Sequence, residues 1–277
     1  MTFNPLNTMG HANQYNKVLL YAMHGWGKTT QAKYYKEKYG DGFIISGESG
    51  LSSIRSSGID YLPFTSWDGD VDPATNTYSF KSIVSMVRTP EFVQRGYKWI
   101  MIDSLTELAD MAMEFAEAEA NKPENLTKDG KVNNFAIWDA YGTRMIGACK
   151  WVRDLPMHVV VTALAKEGED ENGAKDHWPM VKGKQVQTQL PGIFDFVFCG
   201  IKRTEQDPLD PNAQPKVMRY TVCDEYKGWH GKARDEKRRL RAVERESNIT
   251  KLFDRMEMPD DEWDKYVAQQ QAQKGGA

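Results

Sequence analysis

The chain has 277 residues, and its 36 basic against 39 acidic side chains leave a formal net charge of −3. That near-balance excludes a polybasic nucleic-acid coat and an acidic solvating tail. With 40% hydrophobic and 27% charged residues, the composition suits a globular chain with enough apolar material for a sizeable core, either one large α/β domain or a core with a small appendage.

The N-terminal stretch MTFNPLNTMGHANQYN is polar and lacks the basic start, apolar run and cleavage site of a secretory signal. The longest apolar runs span about six residues, where a bilayer-crossing helix needs ~20. No membrane partner and a cytoplasmic location are therefore expected. Short β-rich runs over 18–22, 43–45, 99–102, 159–161 and 196–198 alternate with stretches of helical apolar spacing over 29–37, 82–94, 105–120 and 135–155. This alternation predicts βαβ units, hence an α/β fold with a mainly parallel sheet flanked by helices. Two polar connections interrupt it, 121–134 and 166–189, and the second is long for a structureless link, which marks it as a functional or mobile loop. A Pro-rich turn, a strand over 217–223, a soft boundary near Asp224, a charged helical tail and a fraying terminal QQQAQKGGA complete the chain. Cys149, Cys199 and Cys223 are widely spaced and read as reduced core residues.

The strongest chemical signal is Ala22-Met23-His24-Gly25-Trp26-Gly27-Lys28-Thr29. An apolar strand precedes it and a helix-compatible run follows, the arrangement a phosphate-binding loop requires. Gly25 and Gly27 let the backbone curl so that N–H groups point inward at an anion, and the helix start adds its positive dipole end. Lys28 can then reach β- and γ-phosphates, and Thr29 can ligate Mg²⁺. The strand ending in Asp103 supplies a carboxylate for the Mg²⁺ shell from a neighbouring strand end, although Asp103 could instead cap the helix that follows. Hydrolysis also needs a positioned water, for which Glu48 and Glu107 are both candidates. Spacing alone does not choose between them.

The segments Ala22 to Thr30, Phe43 to Leu51, Ile100 to Glu107, Val159 to Ala163, Pro179 to Lys184, Leu190 to Asp195 and Gly231 to Asp235 resemble the RecA-like branch of P-loop ATPases. More closely, they resemble phage-encoded P-loop nucleotide-binding proteins that include RecA-core single-strand annealing recombinases. The resemblance implies a RecA-like core over 1–240 with a short helical appendage over 241–277, and a nucleotide site lined by Ala22, Met23, His24, Gly25, Trp26, Gly27, Lys28, Thr29 and Thr30. It places the water-positioning role on Glu48 ahead of Glu107, makes Thr162 a γ-phosphate sensor, and implies that Lys232 and Arg234 complete a neighbour's ATP site. ATP, Mg²⁺, a ring or filament of identical subunits, single-stranded DNA and a phage's host cytoplasm follow from the same resemblance. Two departures stand out: Ala22 replaces the usual first Gly, and Trp26 sits where such loops carry a small residue, so its indole is expected to point outward toward a neighbouring subunit.

Charge is unevenly placed. Residues 225–245 hold eight basic and four acidic side chains, a net +4 that leaves −7 on the remainder. With Tyr226, Trp229 and His230 beside it, this segment suits single-stranded backbone contact with base stacking, or simply a solvated helix face. In the 166–189 connection, Lys182, Lys184, Gln185 and Gln187 are the better candidates for phosphate contact, because its first half is acidic.

Overall fold

The structure is a computed structural model and describes residues 15–48, 50–206 and 214–275. The N-terminal stretch up to residue 14, Ser49, most of the Pro-rich turn and the last two residues lie outside the described part. In chain order the elements are β1 (Lys17–Ala22), α1 (Gln31–Tyr39), β2 (Gly42–Ser46), β3 (Asp60–Pro63), α2 (Phe80–Met86), α3 (Pro90–Gln94), β4 (Trp99–Asp103), α4 (Leu105–Ala120), α5 (Asn134–Arg153) and β5 (His158–Glu169). They continue with β6 (Lys175–Pro179), α6 (Lys184–Ile193), β7 (Phe196–Glu205), β8 (Lys216–Val222), the short strands β9 (Glu225–Tyr226), β10 (Trp229–His230), β11 (Lys232–Ala233) and β12 (Val243–Glu244), then α7 (Ile249–Glu257) and α8 (Asp260–Gly275).

The sheet runs β12-β8-β7-β1-β5-β4-β2-β3. Pairing is parallel from β7 through β1, β5, β4 and β2 to β3, and antiparallel where β8 and β12 extend it. The expected α/β fold with a mainly parallel sheet flanked by helices is what the chain forms. Its central strands are apolar on both faces because both are covered. Leu19, Tyr21, Ile100, Ile102, Val159 and Val161 pack against α4 and α5, whereas Val18, Leu20, Met101, Val160, Phe196 and Phe198 face α1 and α7.

Several expectations need correction. The predicted helix over 82–94 is two helices, because Thr89 caps a new one that starts with Pro90, and Pro cannot continue the preceding helix. The 166–189 connection is no loop: β5 and β6 form a hairpin across Glu169–Lys175, closed where the Asp170 carboxylate accepts from Asn172 N–H and Ala174 N–H and Gly173 adopts φ 75°, and α6 follows. Residues 225–245 form no helix either. Gly228, Gly231 and the left-handed Lys227 and Arg238 break the run into short strands and turns. Nor is this segment a free basic face. Arg239 is 5% exposed, donates to the Arg255, Met256 and Met258 carbonyls that end α7, and lies over the Trp263 ring. Lys237 and Arg245 pair with Asp260 and Glu205.

At the C-terminus, Ile249, Leu252 and Phe253 of α7 are fully buried in the second core beside Phe196 and Phe198. α8 carries the chain as helix through Gly275, where fraying was expected; its Gln and Ala residues are good helix formers. The three cysteines are free and buried. Among the described residues, no helix is long and apolar enough to cross a membrane.

His158, at the start of β5, accepts from Asn16 N–H at Nδ1 (3.1 Å) and stacks on Tyr39. Burial, with Lys17 and Lys38 nearby, lowers its pKa to about 4 from 6.5. The neutral ring's contribution is therefore complete above about pH 6.5 and is lost as pH falls toward 4. In thermal unfolding at pH 7 and pH 4.5, wild type is expected to lose more stability on acidification than His158→Gln; equal losses would contradict this.

Candidate functional site

The site lies where β1, β4 and β2 end on one edge of the sheet, beside Thr162 of β5, which runs on into its hairpin with β6. Gly25 (φ 70°) and Gly27 (φ 108°) curl the loop after β1 through conformations that cost a side-chain-bearing residue energy. No side chain caps the start of α1; its first N–H groups, of Gln31, Ala32 and Lys33, turn back on the Lys28, Thr29 and Thr30 carbonyls, so an anion would meet the positive end of the helix dipole through the loop that precedes them. Lys28 is only 8% exposed and rests its ammonium on the Ala22 carbonyl at 3.3 Å. Burial lowers its pKa; Glu48 and Asp103 oppose that shift, while Lys202 adds to it.

Asp103 is fully buried and accepts two hydroxyl hydrogen bonds, from Thr29 (2.7 Å) and from Thr162 (2.5 Å). Its backbone carbonyl accepts from Gly47 N–H and Glu48 N–H, at 2.8 and 3.3 Å. The carboxylate does not cap α4, since Ser104 holds that position and accepts from Glu107 N–H. Nor is its strand the neighbour of β1: β5 lies between them, and Thr162 bridges the gap.

Glu48 stands at the end of β2, and its Oε1 is shielded from solvent without a hydrogen-bond partner. A Cβ built on Gly50 would lie 3.8 Å from Glu48 Oε2 and 3.9 Å from Thr29 Oγ1, which puts this carboxylate beside the loop. Glu107 faces the same space from the first turn of α4; burial, Glu48 and Asp110 raise its pKa. Glu107 is thus driven toward its protonated form.

An octahedral Mg²⁺ takes oxygen ligands and keeps several waters, bound through one or two carboxylates plus phosphates. The residues fit such an ion. Thr29 gives its hydroxyl proton to Asp103, leaving the oxygen lone pairs for a cation, and the unpartnered Glu48 oxygen lies close by. Among the described residues no three His, Cys, Asp or Glu side chains gather into a self-sufficient metal site, so phosphate oxygens would have to complete the shell.

The remaining expected residues divide. Ala22 is buried at the strand end, Met23 packs partly against the first core, His24 is exposed, and Thr30 begins the helix. Trp26 does not point outward: it is 1% exposed, its ring lies against Gly200 of β7, and its Nε1 donates to the Tyr220 carbonyl at 3.1 Å. The missing side chain at Gly200 gives the indole a place inside. Thr162 is fully buried and committed to Asp103. Lys232 and Arg234 lie at the opposite end of β7, level with the start of β1. Lys232 donates to the Pro191 and Phe194 carbonyls, and Arg234 pairs with Asp195 at 2.6 Å.

Three residues at the loop escaped sequence reasoning. Lys202 donates to the His24 carbonyl (2.9 Å), Arg219 donates to the Gly25 carbonyl (3.4 Å), and the buried Gln31 amide bridges the Gly27 and Ser247 carbonyls while accepting from Ile249 N–H. The available signal for Lys202 was strand parity, which puts it on the same face as Gly200.

A second feature opens off this edge. A cleft of about 1130 Å³ lies between the β5–β6 hairpin, α6 and the start of α5, with Trp138, Trp178, Lys166, Lys182 and Lys184 on its walls. Trp138 is 51% and Phe135 89% exposed, unusual for such large rings. The hairpin turn contributes Glu169, Asp170 and Glu171, and Lys182 pairs with Asp110 at 2.9 Å.

The AAA domain family model matches residues 14–235, from just before β1 to just beyond β11. No curated protein matches the chain. Among solved structures, the flagellar accessory protein FlaH from Methanocaldococcus jannaschii is similar over 76% of this chain and 79% of its own, at 10% identity and a TM-score of 0.35.

Thr162→Val keeps the shape but removes the donor to Asp103, leaving a fully buried carboxylate with one hydroxyl fewer. The expected loss, read by denaturant unfolding, is about 1–3 kcal/mol; an unchanged midpoint would contradict the bridging role.

Proposed function

The chain belongs to the AAA domain family, and from that premise we propose that it is a Mg²⁺-dependent P-loop ATPase acting on single-stranded DNA in recombination or replication, for a phage in its host's cytoplasm. What carries the ATPase half is the convergence of Lys28, the Thr29–Asp103–Thr162 bridge and the unpartnered Glu48 oxygen on one loop. When bound, Mg²⁺ would neutralise charge on the polyphosphate. The chain's own residues do the rest. Gly25 to Thr30 present backbone donors to the polyphosphate, Lys28 neutralises developing charge, and Asp103 with Thr29 holds the cation's ligand sphere. Thr162 fixes Asp103, and Glu48 orients the attacking water and accepts its proton. Glu107, held toward its protonated form by burial and by Glu48 and Asp110, is the alternative candidate for that role. Lys232 and Arg234 reach a neighbour's site only if assembly releases them from their contacts within the chain.

The DNA half is supported by the cleft beside the nucleotide edge, where Trp138 and Trp178 accompany Lys166, Lys182 and Lys184 on the walls. Rings for base stacking and ammonium groups for phosphates suit a single strand without sequence readout. A second interpretation, nucleotide-gated assembly with little turnover, is favoured by one observation: Lys232 and Arg234 are both engaged inside the chain.

Phosphate release and nucleotide binding test these proposals together. Lys28→Ala is expected to abolish both, and Glu48→Gln to lower kcat by about 10²–10⁴-fold, the usual worth of a general base, with ATP still bound. Glu107→Gln should cost less than Glu48→Gln. Single-stranded but not duplex DNA should raise the rate, and turnover indifferent to DNA would sink the DNA half alone. Negligible turnover that Glu48→Gln leaves unchanged, with a mass increase on adding ATP and Mg²⁺, would select assembly instead.

A further inference from the structure

Trp26 is the bulky member of its loop, and it is turned into the second core, away from the loop's mouth. A Cβ built on Gly200 would come within 2.4 Å of its ring, so position 200 of β7 has no room for a side chain while the indole is in place. On β8 the Tyr220 carbonyl accepts the indole N–H. Two cations of the same β7–β8 hairpin complete the grip, Lys202 on the His24 carbonyl and Arg219 on the Gly25 carbonyl. Three successive residues, 24 to 26, are each held from the hairpin by one hydrogen bond, and none of these bonds uses a loop N–H. The brace therefore leaves the loop's own N–H groups unused. Gly25 and Gly27 flank the indole, and glycine loses more freedom on ordering than any other residue. A loop of this composition needs an external brace if it is to be curled before a ligand arrives.

We propose that Trp26 is a positioning residue: with Lys202 and Arg219 it locks residues 24–26 to the β7–β8 hairpin, so that affinity for the polyphosphate depends on the hairpin while the chemical step does not. Binding then spends little free energy on ordering the loop. This rests on the P-loop being the nucleotide site, as proposed above.

The test is hydrogen exchange of amides 23–29, with ADP and ATP titrations in Mg²⁺ and steady-state kinetics, on the full chain. Trp26→Ser is expected to speed exchange across the loop about tenfold, leave β1 and β5 amides unchanged, and raise the Kd for ADP and the KM for ATP by a similar factor, with kcat kept within about twofold. Trp26→Phe keeps the ring and loses one neutral hydrogen bond, for a roughly threefold effect. Gly200→Ala should imitate Trp26→Ser and add nothing when combined with it, because the clash it creates needs the indole. If Trp26→Ser does not fold, Trp26→Phe and Gly200→Ala carry the same comparison. Wild-type exchange and wild-type Kd in the folded variants, with at most a lowered melting temperature, would overturn the proposal. Exchange needs no nucleotide, so a wild type that fails to bind ADP would sink the ATPase reading while the exchange rates still decide on the brace.

Discussion

The carboxylate of Asp103 is the constraint on which the site depends. A fully buried carboxylate is costly unless its oxygens are satisfied, and here two hydroxyls from different elements satisfy it: Thr29 at the start of the P-loop helix and Thr162 on β5. Its own carbonyl takes Gly47 N–H and Glu48 N–H, fixing where β2 releases the chain toward Glu48. One residue thereby aligns four elements of the sheet edge. The alignment depends on register, since Ser46 pairs with Asp103, Ile102 with Val161 and Ala22 with Leu164. A slip by one residue in any of these strands would turn its end group to the other face.

The loop is held from other directions as well. The β7–β8 hairpin grips residues 24–26, and Gln31 ties the Gly27 carbonyl to Ser247 and Ile249 at the start of α7. The start of α7 is therefore tied to the site. Its buried Leu252 and Phe253 share a core with Trp26 and Phe198. Preorganised dipoles and charges of this kind need not be rearranged as charge develops during a reaction, which is where most catalytic advantage arises.

The sequence made the local features legible. β1, the P-loop and α1 follow one another within a short span, and the apolar strand ending in Asp103 and the α4 stripe at Leu105, Leu108 and Ala112 keep their period. What escaped is non-local or carried by turn chemistry. The direction of Trp26 depends on a bare Gly200 and on a carbonyl 194 positions along the chain. The bridging of Asp103 depends on β5 standing between β4 and β1, which spacing does not reveal. The β5–β6 hairpin was hidden by charged strands, although Asn172-Gly173 is a hairpin signal. In 225–245 the charge pattern imitates a helix face, and Gly228 and Gly231 break it into short strands and turns.

The most direct measurement is Mg²⁺-dependent phosphate release from ATP by Asp103→Asn beside wild type, with ADP binding followed in parallel. Wild type is expected to turn over only with Mg²⁺, and Asp103→Asn to lose about 10²-fold or more in rate, a typical cost for removing one preorganised charge-stabilising group, while ADP remains bound within a few-fold. Turnover by Asp103→Asn at the wild-type rate, or wild-type turnover indifferent to Mg²⁺, would contradict the role given to this carboxylate.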